Sequence, residues 1–286
     1  MSSTKQLKRR IKSVSNISQI TKAMEMVSAS KMRQAQLQAL ASRTYSRKLD
    51  DILSQLAEVI DTSYHQLLQA KPAQKEAILI LSTDRGLTGS LNTNLFKTVS
   101  SFQQSKPLAV YTLGRLAREF TVKSGLDLKA HFGAVPDKLS YEEAVPIAAL
   151  LIKEFTAATY SRVWIAYMDF VSTLSQTPRI AQLLPIQKTL ETQPDRPMGL
   201  HKEYLFEPDP QTLLNWILPY SVELTIYQSL LKARASEHSA RMVAMKNASE
   251  NASELVDNLQ LIYNRGRQAN ITGELLDIIT ASSTLS

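Results

Sequence analysis

Apolar residues fall into two long helical stretches separated by a region of alternating elements. Near the N-terminus Leu7, Ile11, Val14, Ile17, Ile20, Met24 and Val27 recur at intervals of three and four. That is the period of a helix face packed against another helix. Lys8, Arg9, Lys12 and Lys22 fall largely off the stripe. No proline precedes Pro72 and no glycine precedes Gly86, so nothing punctuates this stretch. A helix over most of residues 4–65 would be about 90 Å long. At the other end, Asp209 is placed to cap a helix with Pro210 in its first turn. Pro219 falls inside the pattern and is expected to kink or restart the helix. Further on, Leu255, Leu259, Ile262, Gly266, Ala269, Gly273 and Leu276 repeat as a heptad seam containing two glycines. Neither helix could bury its stripe alone, which predicts that the chain ends pair as an antiparallel coiled coil.

Between them, short apolar runs alternate with helical stretches. Strands are expected at residues 77–82, 108–113, 128–132 and 163–170, with an edge strand at 179–185. Helices are expected from Asn92, after Gly114, and over 141–156, where Pro146 suits a first turn. This alternation predicts a Rossmann-like, mostly parallel sheet. The fold class is therefore α/β: a central Rossmann-like domain over residues 72–208, flanked by coiled-coil helices at 1–71 and 209–286.

Composition narrows the function. Hydrophobic residues make up 44% of the 286 and charged residues 21%, enough to build a core. No apolar run is long enough for a membrane span, and the start has no apolar signal-peptide stretch. Zero cysteines exclude a disulfide framework, a thiol nucleophile and a cysteine metal site. The net charge of +7 is concentrated: residues 1–49 carry 11 Lys or Arg against Glu25 alone, while the remainder is slightly acidic. Such an arm suits nucleic acid, a solvated coiled-coil face, or a positive surface sliding against acidic protein loops. Residues 1–44 contain no aromatic side chain to stack on bases, which weakens the first. A nucleic-acid-binding coiled-coil protein nevertheless stands as the alternative reading.

A parallel sheet invites a phosphate site after its first strand. The turn there, DRGLTGSLN at 84–92, matches neither GxGxxG nor GxxxxGK[ST], and no lysine follows. A tight structural turn or an exposed protein contact fits it better. His65, His131, His201 and His238 are scattered without ligand spacing. No catalytic, cofactor-binding or metal-binding residue is assigned.

Four segments carry a family resemblance. KRRIKSVSNISQITKAMEMVSASKMR at 8–33 and ASEHSARMVAMKNA at 235–248 closely resemble the terminal signatures of the gamma subunit of F-type ATP synthases, bacterial type. The turn at 84–92 and YLFEP at 204–208 match in family order, as do Tyr263, Asn264, Arg267, Gln268 and Thr272. The resemblance implies a central-stalk rotor that transmits torque between an ion-driven membrane ring of c subunits and three catalytic sites. Those sites lie in the beta subunits of an alpha–beta hexamer, so this chain would itself be non-catalytic and hold no cofactor. Implied hexamer contacts are Lys22, Met24, Arg85, Arg267, Gln268 and Thr272; implied ring contacts are Tyr204, Phe206 and Glu207. The epsilon subunit is a further implied partner, with no nucleic acid and no direct membrane insertion.

Thr88 and Ser90 stand where the family commonly has Cys and Gly, and the cysteine-bearing plastid insertion has no counterpart. Gly266 and Gly273 replace bulkier seam residues, which suggests unusually close helix approach or a softened tip. Residues 275–286 depart most. The signature begins within ten residues of Met1, so a bacterial protein is expected, peripheral on the cytoplasmic face of the plasma membrane.

Overall fold

A computed structural model describes residues 4–59, 65–103, 108–134, 136, 139–187 and 207–284. The chain forms two compact units, one of residues 1–30 with 241–286 and one of residues 31–240. Two helices contribute to both: α1 (Thr4–Val59) and α5 (Pro210–Thr284). Asp209 caps α5 as the sequence predicts, its carboxylate accepting from the Thr212 amide at 2.9 Å and the Thr212 hydroxyl at 2.6 Å. These bonds hold its pKa below the usual carboxylate value. Pro219 is accommodated inside α5, which does not restart there.

In the first unit α1 and α5 run antiparallel. Ser18 and Ser249 exchange bonds, each hydroxyl donating to the other residue's carbonyl at 3.3 Å. Thr4 lies beside Gly266. The buried side of α1 follows Leu7, Ile11, Val14, Ser18, Thr21, Glu25 and Ser28, a strict four–three repeat. This corrects the expected stripe. Ile17, Ile20 and Val27 are about half exposed, at 49, 59 and 56%. The partner helix shifts in the same way, burying Val256 and Tyr263 more than Leu255 and Ile262, while Leu259 and Gly266 keep their predicted side. Serine and threonine tolerate the seam because their hydroxyls are satisfied locally. Thr21, for instance, donates to the Ile17 carbonyl at 2.9 Å.

The second unit is built on a five-stranded sheet. Its strands are β1 (Glu76–Leu81), β2 (Leu108–Leu113), β3 (Asp127–His131), β4 (Val163–Phe170) and β5 (Gln176–Leu184), in spatial order β3-β2-β1-β4-β5. The first four are parallel and β5 is the antiparallel edge. Every residue of β1 and β2 is buried, because helices cover both faces. One face packs Ile78, Ile80 and Val110 against α2 (Leu91–Gln103) and α3 (Arg115–Lys123). The other packs Leu79, Tyr111 and Ile165 against α4 (Val145–Thr156) and the first half of α5, with Phe155, Leu214 and Ile226 among its fully enclosed side chains. Pro146 lies in the first turn of α4, as its fixed φ suits.

Candidate functional site

The strand order reverses between β1 and β4, which is where an open α/β sheet ordinarily opens a crevice for a ligand. Here the turn after β1 closes on itself. Asn92, in the first turn of α2, donates through its amide to the Thr83 hydroxyl at 2.9 Å and the Thr88 hydroxyl at 3.3 Å. The Thr83 hydroxyl donates to the Arg85 carbonyl at 2.8 Å. Asp84 accepts from the Arg115 amide at the start of α3 at 2.9 Å. Ser82 caps the same helix, accepting from the Ala117 amide at 2.7 Å. Gly114 is required for this join, since a Cβ there would sit 2.3 Å from the Ser82 carbonyl oxygen.

Helix α5 fills what remains of the crevice. Ser82, Thr83, Asn92 and Met168 face Arg234 and Glu237 around a cavity of about 20 Å³. A small-molecule site needs several hundred Å³, so this space admits about one water. The Rossmann-like sheet therefore has its ligand crevice occupied by its own chain. Among the described residues, no cluster of three or more His, Asp or Glu side chains is arranged to hold a metal ion. His131 instead pairs with the Thr112 hydroxyl at 3.1 Å.

The segment of α5 over the crevice is buried through six consecutive residues, 234–239, five of them polar. Arg234 pairs with Glu237 at 2.8 Å and donates to the Pro136 carbonyl at 2.6 Å. Ser236 donates to the Met168 carbonyl at 2.9 Å, and Ser239 to the Thr173 carbonyl at 2.7 Å. Ser236, Glu237 and Ser239 lie in the 235–248 signature and Arg234 adjoins it. A second polar cluster joins Tyr141, Tyr220, Tyr227 and Glu223, with the Tyr141 hydroxyl donating to the Glu223 carboxylate. Tyr45 of α1 meets the Tyr220 ring edge-on at 6.0 Å. Burial is the leading cause that raises the pKa of all three of Tyr141, Tyr220 and Tyr227, Tyr220 to about 12.

The expected contact residues are distributed rather than gathered. Lys22 is exposed on α1 and pairs with Glu25 at 3.0 Å, while Met24 is half-buried. Arg267, Gln268 and Thr272 are exposed on α5, where the Thr272 hydroxyl donates to the Gln268 carbonyl at 2.9 Å. Because Thr4 adjoins Gly266, this trio lies about 19 to 24 residues along the coil from Lys22, or roughly 28–36 Å. These are two levels of one coil, not one pocket. Arg85 is exposed on the turn after β1, and Glu207 is exposed before α5. Tyr204 and Phe206 lie outside the described residues. Lys8, Arg9, Arg10 and Lys12 are all exposed, so the positive charge faces outward from the seam.

An α/β unit with a filled crevice and an antiparallel pair of long helices define the class: a coiled-coil protein with a Rossmann-like domain. A family model described as ATP synthase matches residues 3–285. The ATP synthase gamma chain of Dehalococcoides mccartyi (strain CBDB1) is 40% identical, over 100% of both chains. A chain in the Euglena gracilis mitochondrial ATP synthase structure aligns with TM-score 0.69 and 20% identity, over 99% of this chain and 94% of that one. A chain in the central stalk/c-ring structure of Tetrahymena thermophila mitochondrial ATP synthase aligns with TM-score 0.61 and 22% identity, over 80% and 99%. The chain belongs to the ATP synthase gamma-chain family. No helix among its described residues is long and apolar enough to cross a membrane.

Proposed function

We infer that the chain is the central-stalk rotor of a bacterial F-type ATP synthase. It would turn inside an alpha–beta hexamer and pass torque between that hexamer and an ion-driven ring of c subunits. Catalysis of ATP synthesis and hydrolysis then belongs to the beta subunits. The observation that carries the reading is the full-length gamma-chain match on a fold whose own ligand crevice is filled by α5.

The contact residues are those that the family resemblance implies, and the exposure of Lys22, Arg85, Glu207, Arg267, Gln268 and Thr272 supports them. Arg267 and Gln268 offer hydrogen-bond donors, with Thr272 one turn further, at one level of the coil; Lys22 and Met24 lie at the other. Arg85 extends a cation toward an acidic loop of the hexamer. Tyr204, Phe206 and Glu207 meet the membrane ring, and the epsilon subunit docks on the same stalk. An exposed lysine and arginine surface attracts acidic loops without fixed geometry, each pair contributing at most about 1 kcal/mol. That suits a surface required to slide. The protein would lie peripherally on the cytoplasmic face of the plasma membrane, coupled to proton transport.

The test is reconstitution. The chain should co-purify with an alpha–beta hexamer, and hexamer alone should lose rotation-coupled, cooperative turnover. Hydrolysis of ATP by the purified chain alone would overturn the assignment.

A further inference from the structure

We propose that the buried polar block of α5, residues 234–239, is a torque clamp that fixes the rotational setting of this helix on the sheet. The proposal rests on the rotor reading above and names the residues through which the α/β unit would hold the shaft.

Three observations carry it. The first is composition. The buried side chains of α4 are Ile147, Ala148, Leu151 and Phe155, and those of α2 are Leu91, Leu95 and Val99, all apolar. Arg234, Ser236, Glu237, His238 and Ser239 are all at most 7% exposed, yet polar. Apolar packing holds a helix by interlocked side-chain shapes, which any neighbouring apolar surface of matching shape can supply. Hydrogen bonds are directional and weaken steeply when turned.

The second is geometry. The acceptors belong to three separate segments of the unit. Pro136 follows β3, Met168 lies near the end of β4, and Thr173 sits in the β4–β5 turn. Lys232 adds a fourth anchor, reaching Asp169 at 3.3 Å, and Asp169 is also held by Arg179 at 3.3 Å. Lys232, Ser236 and Ser239 share one side of the helix and Arg234 faces the other, so the anchors oppose both its rotation and its sliding. A single anchor would act as a pivot.

The third is position. The anchors occupy the last turns of α5 within the α/β unit, and the helix is continuous from Pro210 to Thr284. They therefore lie where torque entering through the sheet would pass to the remainder of α5.

The experiment uses the assembled synthase. The chain contains no cysteine, so Ser101→Cys on the exposed side of α2, introduced and labelled before assembly, gives this chain a single attachment point for a probe. The hexamer is fixed to a surface and the angular fluctuation of the probe is recorded while rotation is paused. Ser236→Ala with Ser239→Ala removes two of the four anchors, so the angular variance should roughly double if directional anchors dominate the stiffness. ATP hydrolysis should stay near wild type, and protons pumped per ATP under load should fall. Leu230→Ala supplies the contrast: it removes buried packing from the same helix, and should lower Tm more than the serine pair while leaving the variance nearly unchanged. The single serine variants, measured alongside, keep the test decisive should the pair fail to assemble.

Wild-type variance in the serine variants would overturn the clamp. Variance that widens in proportion to lost Tm in every variant would overturn it too, because the block would then be ordinary packing. A wild-type complex that never rotates would instead refute the rotor reading.

Discussion

Gly266 and Gly273 offer a direct measure of how the coil is built near its end. A Cβ at Gly266 would meet the Thr4 methyl at 3.8 Å, an ordinary contact, and one at Gly273 would meet nothing within 4 Å. The unusually close approach suggested by their heptad spacing is therefore absent. Both residues have helical neighbours on each side, so their cost is conformational. Each glycine destabilises a helix interior by about 1 kcal/mol relative to alanine. Seven residues separate them by roughly 10 Å of helix axis, far enough for the effects to add. Replacing both with alanine should stabilise the end of α5 by about 2 kcal/mol. Amide hydrogen exchange in the full-length chain reads this locally. Openings that unravel both positions should become about 30-fold rarer and those that unravel Gly273 alone about 5-fold rarer, producing a step in protection along the helix. Unchanged or faster exchange in either alanine variant would refute the reasoning, because that position would then need the missing Cβ.

The remaining predictions concern the seam, the tyrosine cluster, the charged surface and the buried ion pair. Ser18→Leu should overpack the seam and lower stability by about 1–3 kcal/mol, whereas Ser18→Ala should cost about 1 kcal/mol; thermal melts separate them. The tyrosine pKa values are raised on folding, so the unfolded chain ionises first and stability is lost as pH rises. It should be full below pH 10 and decline toward pH 12, following the shift of Tyr220 to about 12, with tertiary circular dichroism falling in that window. Arg267→Glu should impair coupling between hydrolysis and pumping more than Lys48→Glu. Equal effects would mean that the basic surface acts only through its summed field. Removing either partner of Arg234–Glu237 alone should cost about 3–5 kcal/mol, and Arg234→Met with Glu237→Leu far less, a non-additivity that denaturant titration of the cycle would reveal.

The sheet was legible because its strands are buried on both faces and read as unbroken apolar runs between glycine turns. Ala77 to Leu81 and Leu108 to Leu113 are the clearest cases. Caps were legible for a similarly local reason, since Asp209 and Pro210 act on amides within one turn. The seam register was not. Apolarity favours continuing from Val14 to Ile17, but a coil follows the 3.5-residue spacing and turns Ser18 inward. Hydrophobicity identifies the helix, and only the partner determines which side of it is buried. The polar block was hidden more deeply, because its acceptors lie 66, 68 and 98 residues away in sequence. Nothing near Ser236 indicates that a carbonyl awaits it.

That block and the closed crevice have one physical cause. The mouth of a parallel sheet collects the ends of strands and the loops after them, where backbone groups have no sheet partner. A ligand or water usually satisfies them. When a helix of the same chain covers the mouth, an apolar surface would deprive the carbonyls of Pro136 and Met168 of these donors, at a cost of about 1–3 kcal/mol each, while Thr173 would keep the Gln176 amide. Polar side chains at those positions are the remedy, and Arg234 needs Glu237 because an uncompensated buried charge costs more than a neutral one. Filling a Rossmann-like crevice with α5 thus requires directional bonds where the buried side chains of α2 and α4 are apolar. The same packing that narrows the crevice to about 20 Å³ gives the helix its directional seating.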